Sequence, residues 1–92
     1  MLDIVFSNRF RRDLKLLARR GMDFGLMEAV VEQLAQRQPL DAKYSDHALT
    51  GDYVGFRECH IQPDWLLIYR IEHGEMVLIL TTTGTHADLF AR

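Results

Sequence analysis

Between Asp46 and Trp65 the chain reads DHALTGDYVGFRECHIQPDW, and a later stretch reads GTHADLF. Together they hold His47, His60 and His86, the arginine Arg57, the acid Asp64 and two large aromatics, Trp65 and Phe90. Histidine is the side chain that most readily gives or takes a proton near neutrality, with an ordinary pKa of roughly 6.5. Two imidazoles and a carboxylate therefore suit a reaction that needs one base and one acid. Cleavage of RNA is such a reaction. The 2′-hydroxyl is the nucleophile and must lose a proton, the 5′-oxygen must gain one, and positive charge must meet the phosphate. Arg57 could clamp that phosphate with its fork of donors, and Trp65 and Phe90 could stack bases. This chemistry requires no metal and no cofactor.

These residues need a scaffold that brings them together. Leu2 to Phe6 alternates like a short strand, with Leu2, Ile4 and Phe6 on one face. Ser7 or Asn8 can cap the helix that follows. Phe10, Leu14, Leu17 and Ala18 form one apolar stripe along that helix, and Gly21 ends it. A second helix is predicted from Phe24 to Gln36, with Met27, Val30, Val31 and Leu34 on its apolar side. Pro39 stops it, and residues 40–52 read as a loop. The period then changes to two. Val54–Ile61, Trp65–Ile71 and Glu75–Thr82 are predicted strands, separated by turns at Gln62-Pro63-Asp64 and His73-Gly74.

The predicted fold is thus α+β in the order β-α-α-β-β-β, an antiparallel meander with a helical hairpin on one face. In a meander the end of one strand, the start of the next and the end of the one after share an edge. His60, Asp64 and His86 are expected there, joined by His47 if its loop folds over. Cys59 is out of phase with His60 and is expected as a buried thiol on the opposite face.

The chain has 92 residues, the length of one domain, so residues 1–92 are expected to fold as a unit. Hydrophobic residues make up 48% and charged residues 26%, as in soluble globular chains. No apolar run is long enough to span a bilayer. No basic leader precedes an apolar stretch, and Cys59 is a lone cysteine, so a cytoplasmic location without membrane contact is expected. The net charge of −2 is unusual for a nucleic-acid binder. Basic residues are nonetheless concentrated between Arg9 and Arg20, and Lys43, Arg57 and Arg70 could add to that surface.

The stretch DHALTGDYVGFRECHIQPDWLLIYRI followed by TGTHADLF resembles the RelE/ParE superfamily of bacterial type II toxins, specifically the YafQ type. The resemblance covers nearly the whole chain. It implies a RelE-like fold and a ribosome-dependent endoribonuclease, an mRNA interferase that cuts translated mRNA. It also implies a cognate antitoxin as partner, the 70S ribosome with mRNA as target, and operator DNA bound only by the toxin–antitoxin complex. Carried over residue by residue, the proton-handling positions are His47, His60, Asp64 and His86, and the nucleotide-holding aromatics are Trp65 and Phe90. His86 is expected nearest the scissile phosphate, with His60 and Asp64 as the other proton-handling pair. Which histidine is acid and which is base stays open at this point. Competing readings are a ParE-like binder of gyrase, in which several histidines would have no task, and a zinc hydrolase, for which the helical histidine spacing is missing.

Overall fold

The chain enters its first helix through Ser7, whose hydroxyl oxygen accepts a bond from the Phe10 amide and donates to the Thr81 carbonyl at 2.6 Å. One side chain thereby caps the helix and ties it to the sheet. The structure, a computed structural model, describes residues 1–90. Strand β1 (Asp3–Phe6) leads into helix α1 (Asn8–Arg19), and Gly21, at φ 73°, takes the left-handed turn that ends α1. Helix α2 (Phe24–Ala35) starts on an Asp23 cap. Strands β2 (His47–Ala48), β3 (Arg57–Gln62), β4 (Trp65–Glu72) and β5 (Val77–Gly84) follow, and helix α3 (His86–Phe90) comes last.

The sheet order is β1-β5-β4-β3-β2. The β3-β4-β5 meander is antiparallel, as its short turns require, whereas β1 lies parallel to β5 at the edge. Alternation along β4 sorts the core. Trp65, Leu67 and Tyr69 face α1 and α2, packing with Phe10, Leu17, Met27, Val30 and Leu34. Leu66 and Ile68 face the other way, against Leu89, Leu49, Tyr53 and Phe56. The helical hairpin therefore covers one face, and α3 with the loop before β3 partly covers the other. Thr82 donates its hydroxyl to Asp13 at 2.6 Å, and the Thr83 amide donates to the same carboxylate oxygen, fastening α1 to the part of β5 that leads into α3.

Several boundaries differ from expectation. The loop before β3 contains the two-residue strand β2, which pairs with β3 and is too short to show any period. The expected strand from Val54 begins only at Arg57, because Val54 is exposed and Gly55 breaks the chain at φ 92°. The last strand is shifted later, since Met76 adopts φ 58° in the preceding turn. Cys59 lies on the helix-covered face and is fully buried. Burial, with the Asp46 and Glu58 carboxylates nearby, pushes its thiol up to about 12, which leaves it protonated and unreactive.

Candidate active site

Strand β3 alternates, so Glu58 and His60 project on one side and Arg57, Cys59 and Ile61 on the other. Strand β2 sets His47 directly opposite Glu58 across the ladder. His86 arrives from β5 through the first turn of α3. That turn is a reciprocal cap. The Thr85 amide donates to Asp88, and the Asp88 amide donates to the Thr85 hydroxyl. It also needs Gly84, where an added Cβ would stand 2.9 Å from the Asp88 side chain.

The three imidazoles form a row. The ring centroids of His47 and His60 are 6.4 Å apart, and those of His60 and His86 are 5.7 Å apart. Asp64 closes one end. Its Oδ1 accepts from the His86 Nδ1 at 2.6 Å and from the His86 backbone amide at 3.0 Å. These bonds, the backbone one first, hold the Asp64 carboxyl below its ordinary value. An ionised carboxylate can only accept, so Nδ1 carries the proton and Nε2 of His86 is left for chemistry. At the other end His47 Nδ1 faces the Ser45 carbonyl at 2.6 Å. His60 Nδ1 faces the Pro63 carbonyl at a longer 3.4 Å.

The structure thus brings together His47, His60, His86 and Asp64. It corrects the expected pairing, because Asp64 serves His86 and not His60. The carboxylate beside His60 is Glu58, which sequence reasoning missed. Its Oε1 lies 3.3 Å from the His60 Nε2 and 3.7 Å from the His47 Nε2. The signal was present in the parity of β3, where Glu58 and His60 share a face.

Arg57 does not reach this row. Its guanidinium pairs with Asp46 at 3.3 Å on the far side of the sheet, where the Tyr69 hydroxyl donates to the same carboxylate at 2.6 Å. The expected phosphate clamp is instead an anchor for the residue preceding His47. Trp65 does not stack bases either. It is 1% exposed in the helix-side core, with its indole N–H donating to Thr83 at 2.9 Å. Phe90 lies one helical turn beyond His86, 40% exposed, with its ring edge-on to Tyr53. Lys43 is exposed and shares a cavity of about 640 Å³ with His60, Tyr44, Ser45 and Gln62. His73 stands in the β4–β5 turn, apart from the row.

The mounting of α3 carries a pH signature. Asp88 makes a bidentate pair with Arg20 at 2.6 and 3.0 Å. That pair first, and the Thr85 amide next, hold its carboxyl well below the usual range. A depressed folded value means stability that is present above the unfolded value of about 3.9 and is lost as pH falls through the folded one. Arg20→Ala should therefore lower the melting temperature by a few degrees at pH 7. The gap should close as the carboxylates of the wild type protonate. Thermal melts across pH check this; a gap that persists undiminished in strong acid would disprove it.

The chain as a whole is similar to known bacterial toxins. A family model described as "Bacterial toxin of type II toxin-antitoxin system, YafQ" matches residues 2–91. The chain is 38% identical over 89 residues to the mRNA interferase toxin YafQ of Escherichia coli K12, covering 96% of this chain and 95% of that one. A crystal structure of a metal-bound toxin from Helicobacter pylori is similar at a TM-score of 0.92 and 48% identity, over 98% of this chain and 100% of that chain. The toxin in the crystal structure of the Escherichia coli DinJ–YafQ toxin–antitoxin complex is similar at a TM-score of 0.86 and 38% identity, over 97% of each chain.

Proposed function

This chain belongs to the YafQ family of bacterial type II toxins, and we propose on that footing that its histidine row is the cutting centre of a ribosome-dependent mRNA interferase. The protein is a toxin and an endoribonuclease, and its partner is a cognate antitoxin. Translated mRNA in the 70S ribosome is the proposed substrate, and operator DNA is a proposed ligand of the toxin–antitoxin pair alone.

The observation that carries the mechanism is His86. Asp64 fixes its Nδ1–H, so Nε2 is free to take the 2′-hydroxyl proton. The 2′-oxygen attacks the adjacent phosphorus, the bond from phosphorus to the 5′-oxygen breaks, and a 2′,3′-cyclic phosphate forms. His60, 5.7 Å away between ring centroids, supplies the proton to the leaving 5′-oxygen. His86 ends protonated and His60 deprotonated, and exchange with water resets both. Positive charge at the phosphate comes from Lys43 and His47, since Arg57 is committed to Asp46. Phe90 and Tyr53 offer the aromatic surface that Trp65 does not.

One similar toxin is metal-bound. Among the described residues no group of three or more histidine, cysteine or acidic side chains has the arrangement to hold a metal ion. No helix of the described chain is long and apolar enough to cross a membrane; the cytoplasm is the proposed location. A ParE-like role on gyrase leaves the row of imidazoles without a task.

Primer extension on an mRNA, with and without translating ribosomes, tests the proposal. Cuts should appear within the reading frame only when ribosomes are present and leave 5′-hydroxyl ends. Equal cutting of naked RNA would remove the ribosome from the scheme.

A further inference from the structure

The cavity beside His60 opens off the middle of the histidine row. Among the described residues it borders His60 and none of His47, Asp64 and His86. Leu26 of α2 and Pro63 of the β3–β4 turn give it apolar walls, Lys43 and Ser45 come from the loop before β2, and Gln62 closes β3. Its volume of about 640 Å³ falls within the range of small-ligand sites, roughly 300–1,000 Å³.

Local backbone puts the polar groups there. A short 3-10 turn, Ala42–Tyr44, is capped by Asp41 and ends on Ser45 at φ 49°, a left-handed conformation that is costly for a residue other than glycine. The β3–β4 register shifts between His60 and Gln62, and a bulge of this kind re-aims the side chains around it. Lys43 and Ser45 bond the rest of the chain through backbone atoms. The Lys43 amide donates to Asp41, and the Ser45 carbonyl faces the His47 ring. The Lys43 ammonium lies over the Tyr44 ring, 5.1 Å from its centroid, which keeps a positive charge at the cavity. Apolar walls, a hydroxyl, an amide and a cation match the parts of a nucleotide: a flat apolar face, an edge of donors and acceptors, and a phosphate.

The chemistry decides which nucleotide. In-line displacement sets the attacking 2′-oxygen and the leaving 5′-oxygen on opposite sides of the phosphorus. His86 serves the first and His60 the second, with 5.7 Å between ring centroids. The ribose carrying the 5′-oxygen belongs to the nucleotide after the cut. The cavity adjoins His60, whereas Phe90 belongs to α3 with His86.

We propose that this cavity is the subsite for the nucleoside on the 3′ side of the cut, with Gln62 reading the edge of its base. Leu26 and Pro63 meet the base face, the Ser45 hydroxyl shares its edge with Gln62, and Lys43 meets phosphate. The nucleoside before the cut is left to Phe90 and Tyr53. This rests on the roles proposed above for His60 and His86.

Cut sites mapped along a translated transcript give the base frequencies on either side of the cut. The wild type should favour particular bases at the position just after it. Gln62→Ala should flatten that preference by about 2–10-fold, the usual contribution of one hydrogen bond, and leave the preference before the cut as it was. Leu26→Trp, at a position 40% exposed and so open to a larger ring, should fill the cavity and raise KM more than it lowers kcat. A folded Gln62→Ala protein with an unaltered preference after the cut would overturn the proposal. So would a wild type with no such preference, or a change confined to the base before the cut. If the wild type cuts no RNA, NMR titration of the isotope-labelled protein with nucleoside 5′-monophosphates decides. Shifts at the Lys43 and Ser45 amides and the Gln62 side chain that vanish in Leu26→Trp would sink the cleavage reading and leave the nucleotide site standing. No shift there would remove both.

Discussion

His86→Ala is expected to slow mRNA cleavage by roughly 10²–10⁴-fold and to abolish growth arrest when the protein is expressed without its antitoxin. The magnitude is that of losing a positioned proton-transfer group. The loss should not come from unfolding. The His86 side chain is 55% exposed, and its backbone amide would still donate to Asp64 in the variant. Asp64→Asn should show a smaller loss, because the amide can present an oxygen to Nδ1 but carries no charge. A melting curve beside the cleavage assay separates chemistry from folding. A folded His86→Ala protein that cuts at the wild-type rate would remove His86 from the mechanism.

Trp65→Ala is expected to cost about 3–5 kcal/mol of stability, the usual range for emptying a large aromatic site in a core. Trp65 is almost fully enclosed, packs edge-on against Phe24 at 6.4 Å between centroids, and bonds Thr83. Truncation would leave a cavity and take from Thr83 the donor to its hydroxyl oxygen, although that hydroxyl still donates to the Leu66 carbonyl. Trp65→Phe fills most of the space and should keep cleavage near the wild-type level once its smaller stability loss is allowed for. Denaturant melts and cleavage rates on both variants decide the matter. A stable Trp65→Phe protein that has lost cleavage would mean the indole does touch RNA, against its burial.

The elements long enough to show a period were legible in the sequence. The stripes of α1 and α2 put Phe10, Met27 and Val30 on the core side, where they are found, whereas Trp65, expected to stack bases, lies in the core with them. The convergence of His60 and His86 followed from meander connectivity alone. Elements shorter than a period were not legible, and these include the pieces that mount the outer histidines, β2 and α3. Glu58 went unnoticed because an acid in a strand looks like an ordinary exposed residue until its neighbours are known. The face of Arg57 could have been read from the same alternation that placed Cys59. The charge of Arg57 suits a phosphate, but strand parity turns it to the opposite face, where it pairs with Asp46. A shared sheet end alone does not decide which histidine Asp64 serves, and the His86 amide, arriving from a distant strand, captures it.

The parallel alignment of β1 with β5 has a kinetic consequence. It joins segments on either side of nearly everything else, and the Ser7–Thr81 bond spans 74 positions. Closing so large a loop loses chain entropy before any contact rewards it, and topologies of this kind fold slowly for their size. The β3–β4 hairpin can zip locally, but α1 has no seat until β5 arrives, and β5 also delivers His86. The nascent molecule should therefore pass through a stage with hairpin and helices formed and the nuclease still in pieces.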